Sequence, residues 1–174
     1  MTGLIQVYTG DGKGKTTAAF GLAMRALGRG LKVTFMQFLK SGVSGEILLG
    51  QTLPELNIIR VNTSEKFTWT MNEEELQFMQ KEIEQGFEQA IQIARSGKCN
   101  ILILDEMVHI LNKGNISREA FETFLASKPE HLEIILTGRN APEWLIERAD
   151  LVSEMRCIKH PFQQGIAARE GIED

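Results

Sequence analysis

The sequence predicts one α/β domain over residues 1–174, a mainly parallel β-sheet flanked by helices. Three observations carry that reading. Short apolar runs alternate with helical patterns along the chain. Two runs, "NILILDE" (Asn100–Glu106) and "LEIILTG" (Leu132–Gly138), are unbroken until they end in polar or glycine residues, which suits strands covered on both faces. A loop rich in glycine and lysine, "YTGDGKGKTT" (Tyr8–Thr17), joins the first strand pattern to the first helix pattern.

The elements follow in order. Leu4–Thr9 reads as a strand and Thr16–Arg29 as a helix, packed by Ala18, Phe20, Ala23, Ala26 and Leu27 and stopped by Gly28 and Gly30. Lys32–Phe38 is the next strand, Leu39–Glu46 a loop, Leu56–Asn62 a third strand and Thr63–Met71 a second loop, unusually aromatic. A long helix runs from Glu73 to Arg95. Asn72 is its N-cap, and Glu75 three places later makes a capping box. Leu76, Met79, Ile83, Phe87, Ala90 and Ala94 recur at helical spacing as its buried stripe. Asn100–Glu106 is a strand, Arg118–Leu125 a shorter helix and Leu132–Gly138 another strand. Pro142 opens the next helix at its first position. Leu151–Ile158 alternates in polarity and reads as a strand nearer the sheet edge, followed by a polar, glycine-containing tail. Crossovers are expected to be right-handed. Ligands in such sheets bind beyond the carboxyl ends of the strands, where the glycine loop, both sequence loops and the acids Asp105 and Glu106 fall.

Composition narrows the function. With 43% hydrophobic and 24% charged residues the chain can bury a core and stay soluble. Its net charge of −4 leaves no basic excess to hold a nucleic acid by its backbone, so no such partner is expected. The opening residues run straight into a strand pattern, so neither a signal peptide nor a membrane span is expected. Cys99 and Cys157 lack metal-ligand spacing and the three histidines are scattered, which fits a reduced, cytoplasmic compartment and no zinc.

The loop carries the chemistry. The phosphate-binding pattern is G-x-x-x-x-G-K-[ST]. Gly14, Lys15 and Thr16 supply its end, but Thr9 stands where the first glycine belongs, and the loop has an additional glycine, Gly12, and an additional lysine, Lys13. The context still fits, because the loop follows a strand and opens a helix. Gly10, Gly12 and Gly14 let backbone N–H groups turn toward phosphate oxygens, and the helix N-terminus adds favourable partial charge. Thr9, Asp11 and Thr17 complete the candidate nucleotide contacts. Lys15 is placed to bind phosphate, Thr16 to offer its hydroxyl to Mg²⁺ (or Mn²⁺), and Lys13 to add a second cation suited to a long polyphosphate. Asp105 and Glu106, closing an apolar strand, can hold a magnesium ion or its water shell, or serve as ordinary acids at a helix start. Arg139 and Lys40, each just past a strand, could clamp phosphate or lie in surface turns. His160 beside Lys159 reads by itself as a surface residue. Phe67 and Trp69 could stack on a flat ligand or plug a core gap. The residues alone therefore give a magnesium–nucleoside triphosphate site without an acceptor.

The full set of motifs resembles a known family. "YTGDGKGKTTAAFGLAMRALGRG", "FMQFLK", "FTW", "ILDE", "TGRNAP" and "ADLVSEM…KHPFQQGIAA…GIE" stand in the order found in the P-loop type of ATP:corrinoid adenosyltransferase (the CobA type), and cover nearly the whole chain. The resemblance implies a P-loop NTPase-like (RecA-like) fold. It implies transfer of the 5′-deoxyadenosyl group of ATP to the cobalt(I) of a reduced corrinoid such as cobalamin, with release of triphosphate. Family members share the threonine at the place of Thr9, and their nucleotide is implied to lie reversed, its γ-phosphate where the α-phosphate usually sits. Lys13, Lys15 and Glu106 are then the implied catalytic groups, and Phe67, Trp69, Lys159 and His160 the implied corrinoid contacts, the two aromatics occupying the lower axial face. A flavoprotein reductase as electron donor and a homodimer are implied as well. Three departures stand out. Many members carry an N-terminal extension that covers a neighbouring subunit's site, whereas Met1 here lies almost against the first strand. Met107 replaces an expected leucine, and Glu170 reverses the charge of a common lysine in the tail. The rival readings are a nucleotide kinase or ATPase on the same fold, which would need an arginine-rich lid that the sequence lacks, and a nucleotide- or corrinoid-binding module without turnover.

Overall fold

The computed structural model describes residues 2–39, 42, 44–61, 66 and 68–172. Six strands form one all-parallel sheet: β1 (Ile5–Thr9), β2 (Val33–Phe38), β3 (Leu56–Val61), β4 (Ile101–Asp105), β5 (Glu133–Thr137) and β6 (Leu151–Glu154). Their spatial order is β3-β2-β4-β5-β1-β6. The acid-bearing strand β4 is thus separated from the loop-bearing strand β1 by β5, the RecA-like, P-loop NTPase-like arrangement expected from the motifs. The helices are α1 (Lys15–Leu27), α2 (Gly45–Gly50), α3 (Glu73–Arg95), α4 (Met107–Lys113), α5 (Arg118–Ala126) and α6 (Glu143–Arg148).

Alternation along the central strands explains why these runs are apolar throughout. Leu102 and Leu104 of β4 pack into the layer held by α3, α4 and α5, while Ile101 and Ile103 pack into the opposite layer under α1 and α2. Phe87 of α3 stacks on Phe121 of α5 at 5.6 Å between ring centres and meets Phe124 edge-on at 5.6 Å. Strand β6 is an edge, paired only with β1, and all its residues are exposed. No helix among the described residues is long and apolar enough to cross a membrane.

The capping box of α3 is present as expected: the Glu75 N–H donates to Asn72 Oδ1 at 2.9 Å and the Asn72 N–H to Glu75 Oε2 at 2.9 Å. Other expectations need correction. Leu76 does not belong to the buried stripe of α3, since it is 38% exposed at the helix's first turns, before the sheet is reached. On α1 it is Ala19, not Ala18, that is fully buried, and the helix begins at Lys15 and ends at Leu27. Pro142 is the N-cap of α6, one place before its first helical residue. β6 stops at Glu154 and not at Ile158, because Met155 turns its carbonyl to the glycine loop. Helix α2 enters the stretch expected to be a loop, and α4 was not expected at all. Both are under two turns long, too short for a periodic signal. Met107 packs fully buried in the core, as a volume-conserving exchange for leucine allows.

Candidate active site

The glycine loop joins β1 to α1, and Gly14 (φ 114°) caps the helix without a side chain, leaving its first N–H groups open to an anion. The additional glycine has a structural cause. The Gly12 N–H donates to the Met155 carbonyl at 2.7 Å, and a Cβ at Gly12 would stand 2.8 Å from that same oxygen. The chain leaving β6 therefore lies against the loop at a distance only glycine permits. The Cys157 N–H adds a bond to Asp11 Oδ1 at 3.1 Å, which holds the Asp11 carboxyl below its usual range.

Lys15 is buried, and its ammonium donates to the carbonyls of Gly10 (2.8 Å) and Gly12 (2.7 Å). Burial, and then the charge of Arg139, pull its pKa below the ordinary lysine value, against the opposing pull of Glu106, Asp11 and Asp105. Next to it, Thr16 Oγ1 donates to Asp105 Oδ1 at 2.9 Å. Asp105 is fully buried. It also accepts from Thr137 Oγ1 at 2.7 Å and from Gln37 Nε2 at 3.4 Å. Thr137 in turn accepts the Glu106 N–H at 3.0 Å. Glu106 sits at φ 62°, a left-handed bend that turns β4 directly into α4 and brings its side chain into the cleft. The cleft measures about 1110 Å³ and is lined by loop residues from Asp11 to Thr17, by Glu106 and Arg139, by Ser44 and Glu46 at the start of α2, and by the C-terminal segment through His160, Phe162 and Ile172. That volume lies just above the usual size range of small-molecule sites.

The oxygen donors gathered here fit a hard divalent cation. Among the described residues no three histidine, cysteine or acidic side chains form a metal cage, so such a cation would need phosphate oxygens and water to complete its shell, the habit of Mg²⁺.

The family model described as ATP:corrinoid adenosyltransferase BtuR/CobO/CobP matches residues 1–173. The chain belongs to the ATP:corrinoid adenosyltransferase family. It is similar to the corrinoid adenosyltransferase of Pseudomonas aeruginosa, at 35% identity over 98% of this chain and 83% of that one. It resembles the corrinoid adenosyltransferase of a Sinorhizobium species at 38% identity, covering 98% of this chain and 80% of that one. The corrinoid adenosyltransferase of Escherichia coli K12 is 36% identical, over 98% and 85% of the two chains. As a member of a transferase family, this adenosyltransferase uses ATP and a corrinoid as its substrates.

The adenosyltransferase brings most of its sequence-predicted nucleotide residues to one cleft: Asp11, Gly12, Lys13, Gly14, Lys15, Thr16, Thr17, Glu106 and Arg139, with His160. Thr9, Gly10 and Asp105 lie behind it. Thr9 is 7% exposed, and its hydroxyl accepts the Ala141 N–H at 3.0 Å. Lys13 donates its ammonium to the Ile172 carbonyl of the tail. Nδ1 of His160 accepts the Phe162 N–H at 3.2 Å, capping a short 3-10 turn, while Lys159 is exposed outside the cleft. Trp69 lies in the 3-10 turn Thr68–Thr70 and is 78% exposed, so it plugs no core gap. Lys40 and Phe67 lie outside the described residues. Sequence reasoning missed Gln37, Thr137 and Asn112. The first two had a signal, a polar residue at the end of an apolar strand or one place before it. Asn112 had none, because α4 itself was not foreseen.

Proposed function

We propose that this adenosyltransferase forms the carbon–cobalt bond by direct displacement at the ribose C5′ of ATP, with the triphosphate held in the glycine loop as leaving group. The observation that carries this reading is the set of cations around the glycine loop: Lys13, Lys15 and Arg139 line one cleft with the open amides at the start of α1, an arrangement suited to a leaving polyphosphate, while the nucleophile comes with the corrinoid substrate. The cobalt(I) electron pair attacks C5′, the cobalt–carbon bond forms as the C5′–O bond breaks, and that bond's electron pair departs with the triphosphate. Cobalt passes formally from the +1 to the +3 state, and no proton moves.

The chain's own residues act on the leaving group. Lys15 exchanges its loop carbonyls for phosphate oxygens, Lys13 adds a second cation, Arg139 clamps from the β5 side, and the loop amides donate to the oxygens that gain charge. Thr16 and Glu106 would hold Mg²⁺, with Asp105 fixing the Thr16 hydroxyl. A bound Mg²⁺ would neutralise charge on the triphosphate. Trp69, exposed and aromatic, fits a corrin contact together with Phe67, and Lys159 and His160 fit the rim. The reversed nucleotide, the reductase, the homodimer, cytoplasmic action and one domain over residues 1–174 extend this reading on the family resemblance. ATP stereospecifically deuterated at C5′ tests it: inversion at that carbon in the adenosylated corrinoid is expected, and retention would replace single displacement with a covalent enzyme intermediate.

A further inference from the structure

We propose that Thr9, at the place of the pattern's first glycine, is a positioning residue that with Asn112 fixes the Gly138–Ala141 turn and so aims Arg139 into the cleft.

The turn is held at every residue. At its start, Gly138 (φ 143°) lies so close to α4 that a Cβ there would stand 2.7 Å from the Val108 Cβ. Asn112, near the end of α4, donates its amide to the carbonyls of Arg139 (3.2 Å) and Asn140 (2.9 Å). Asn140 is left-handed at φ 56°, a conformation that asparagine adopts more readily than other non-glycine residues. At the far end the Ala141 N–H donates to Thr9 Oγ1. A glycine at position 9 would leave that N–H without its acceptor. Thr9 is buried and does not line the cleft, so its hydroxyl serves the turn and not a phosphate. Arg139 does line the cleft, and its charge acts on both Lys15 and Asp11 of the loop. One hydroxyl thus couples the strand that launches the loop to the arginine facing it, and α4 carries Glu106 at its head and the second clamp, Asn112, near its tail.

The proposal rests on Arg139 being a polyphosphate contact, and the test separates the two. Titration calorimetry of inorganic triphosphate, with magnesium in the buffer, gives Kd for the full chain and for Thr9→Val, Thr9→Ser, Asn112→Ala, Arg139→Ala and the doubles pairing Thr9→Val and Asn112→Ala with Arg139→Ala. Thr9→Val, which keeps shape and loses the acceptor, is expected to weaken binding about three- to tenfold. Thr9→Ser should bind like the parent. Both single losses should vanish in the Arg139→Ala background, because residues acting through one partner are not additive. In turnover the loss should appear in the KM for ATP more than in kcat. Should Thr9→Val fail to fold, the exposed Asn112→Ala decides by the same cycle. Unchanged binding in Thr9→Val and Asn112→Ala, or equal losses with and without Arg139, overturns the proposal. Unchanged binding in Arg139→Ala itself removes the arginine from the phosphate site.

Discussion

The hydroxyl of Thr16 and the carboxylate of Asp105 meet at 2.9 Å, joining the first residues of α1 to the end of β4, 89 positions apart in the chain. Asp105 takes its other hydrogen bonds from Thr137 and Gln37 and is fully buried, so it orients the threonine while Glu106 reaches the cleft. Thr16→Val keeps the shape and removes the hydroxyl. The Mg²⁺ concentration for half-maximal activity should rise about tenfold, the size of effect seen when a metal site loses such support, and Thr16→Ser should restore it. An unchanged magnesium dependence in Thr16→Val would place the metal elsewhere.

Two glutamates that both stand at the start of short helices should behave differently. Glu106→Gln is expected to lower kcat by about a hundredfold, as the loss of a group serving the developing charge does. Glu143 is exposed in the first turn of α6, and Glu143→Gln should leave kcat unchanged. Equal, small effects at both positions would remove Glu106 from the metal.

Lys15→Ala should abolish turnover and keep the fold, with a fall of a few degrees in melting temperature because the loop carbonyls of Gly10 and Gly12 lose their donor. The lowered pKa of Lys15 adds a pH signature. The unfolded chain holds this proton more tightly than the folded one, so the lysine's contribution to stability rises with pH between its folded value and the ordinary lysine value. Triphosphate favours the ammonium form, so affinity for it should fall as pH climbs through the lowered value. Lys15→Arg, which keeps its charge, should lack that fall. Parallel pH profiles of Kd for the parent and Lys15→Arg would show that Lys15 does not titrate against the ligand.

Trp69 separates corrinoid chemistry from packing. Its exposure means that Trp69→Ala should leave the melting temperature almost unchanged, within about 0.5 kcal/mol of the parent's stability. Activity should nearly vanish in the Phe67→Ala/Trp69→Ala double variant when cobalt(II) cobalamin and an enzymatic reductant are supplied. Much of it should return with cobalt(I) generated beforehand, which already lacks the lower ligand. A corrinoid without a lower nucleotide base should also be less affected. A uniform loss in all three assays, with a large fall in melting temperature, would mean that the pair serves packing.

The capping box of α3 gives a prediction of stability alone. Asn72→Ala removes the acceptor for the Glu75 N–H and should cost about 1 kcal/mol. For a chain of this size the melting temperature should fall by about 2–4 °C, with kcat unchanged. A loss of kcat would tie the start of α3 to the site.

What could be read from the sequence was what periodicity and punctuation encode. The unbroken runs of β4 and β5 gave their burial on both faces, the Asn72–Glu75 spacing gave the box, and the loop spelling marked the turn from β1 into α1. What could not be read comes from contacts distant in sequence. Gly12 is glycine because Met155 lies against it, and Thr9 bonds the N–H of Ala141. Helix α4 hid because it starts from a left-handed glutamate with no cap residue, and Asn112 hid with it. Leu76 was misread because helical spacing marks a face without saying where along the helix the core ends.

The most direct test supplies ATP and chemically reduced cobalamin to the purified chain and counts its products. Displacement at C5′ predicts adenosylcobalamin and inorganic triphosphate in equal amounts, with no ADP. ADP with phosphate or a phosphorylated product, and no adenosylcobalamin, would contradict it.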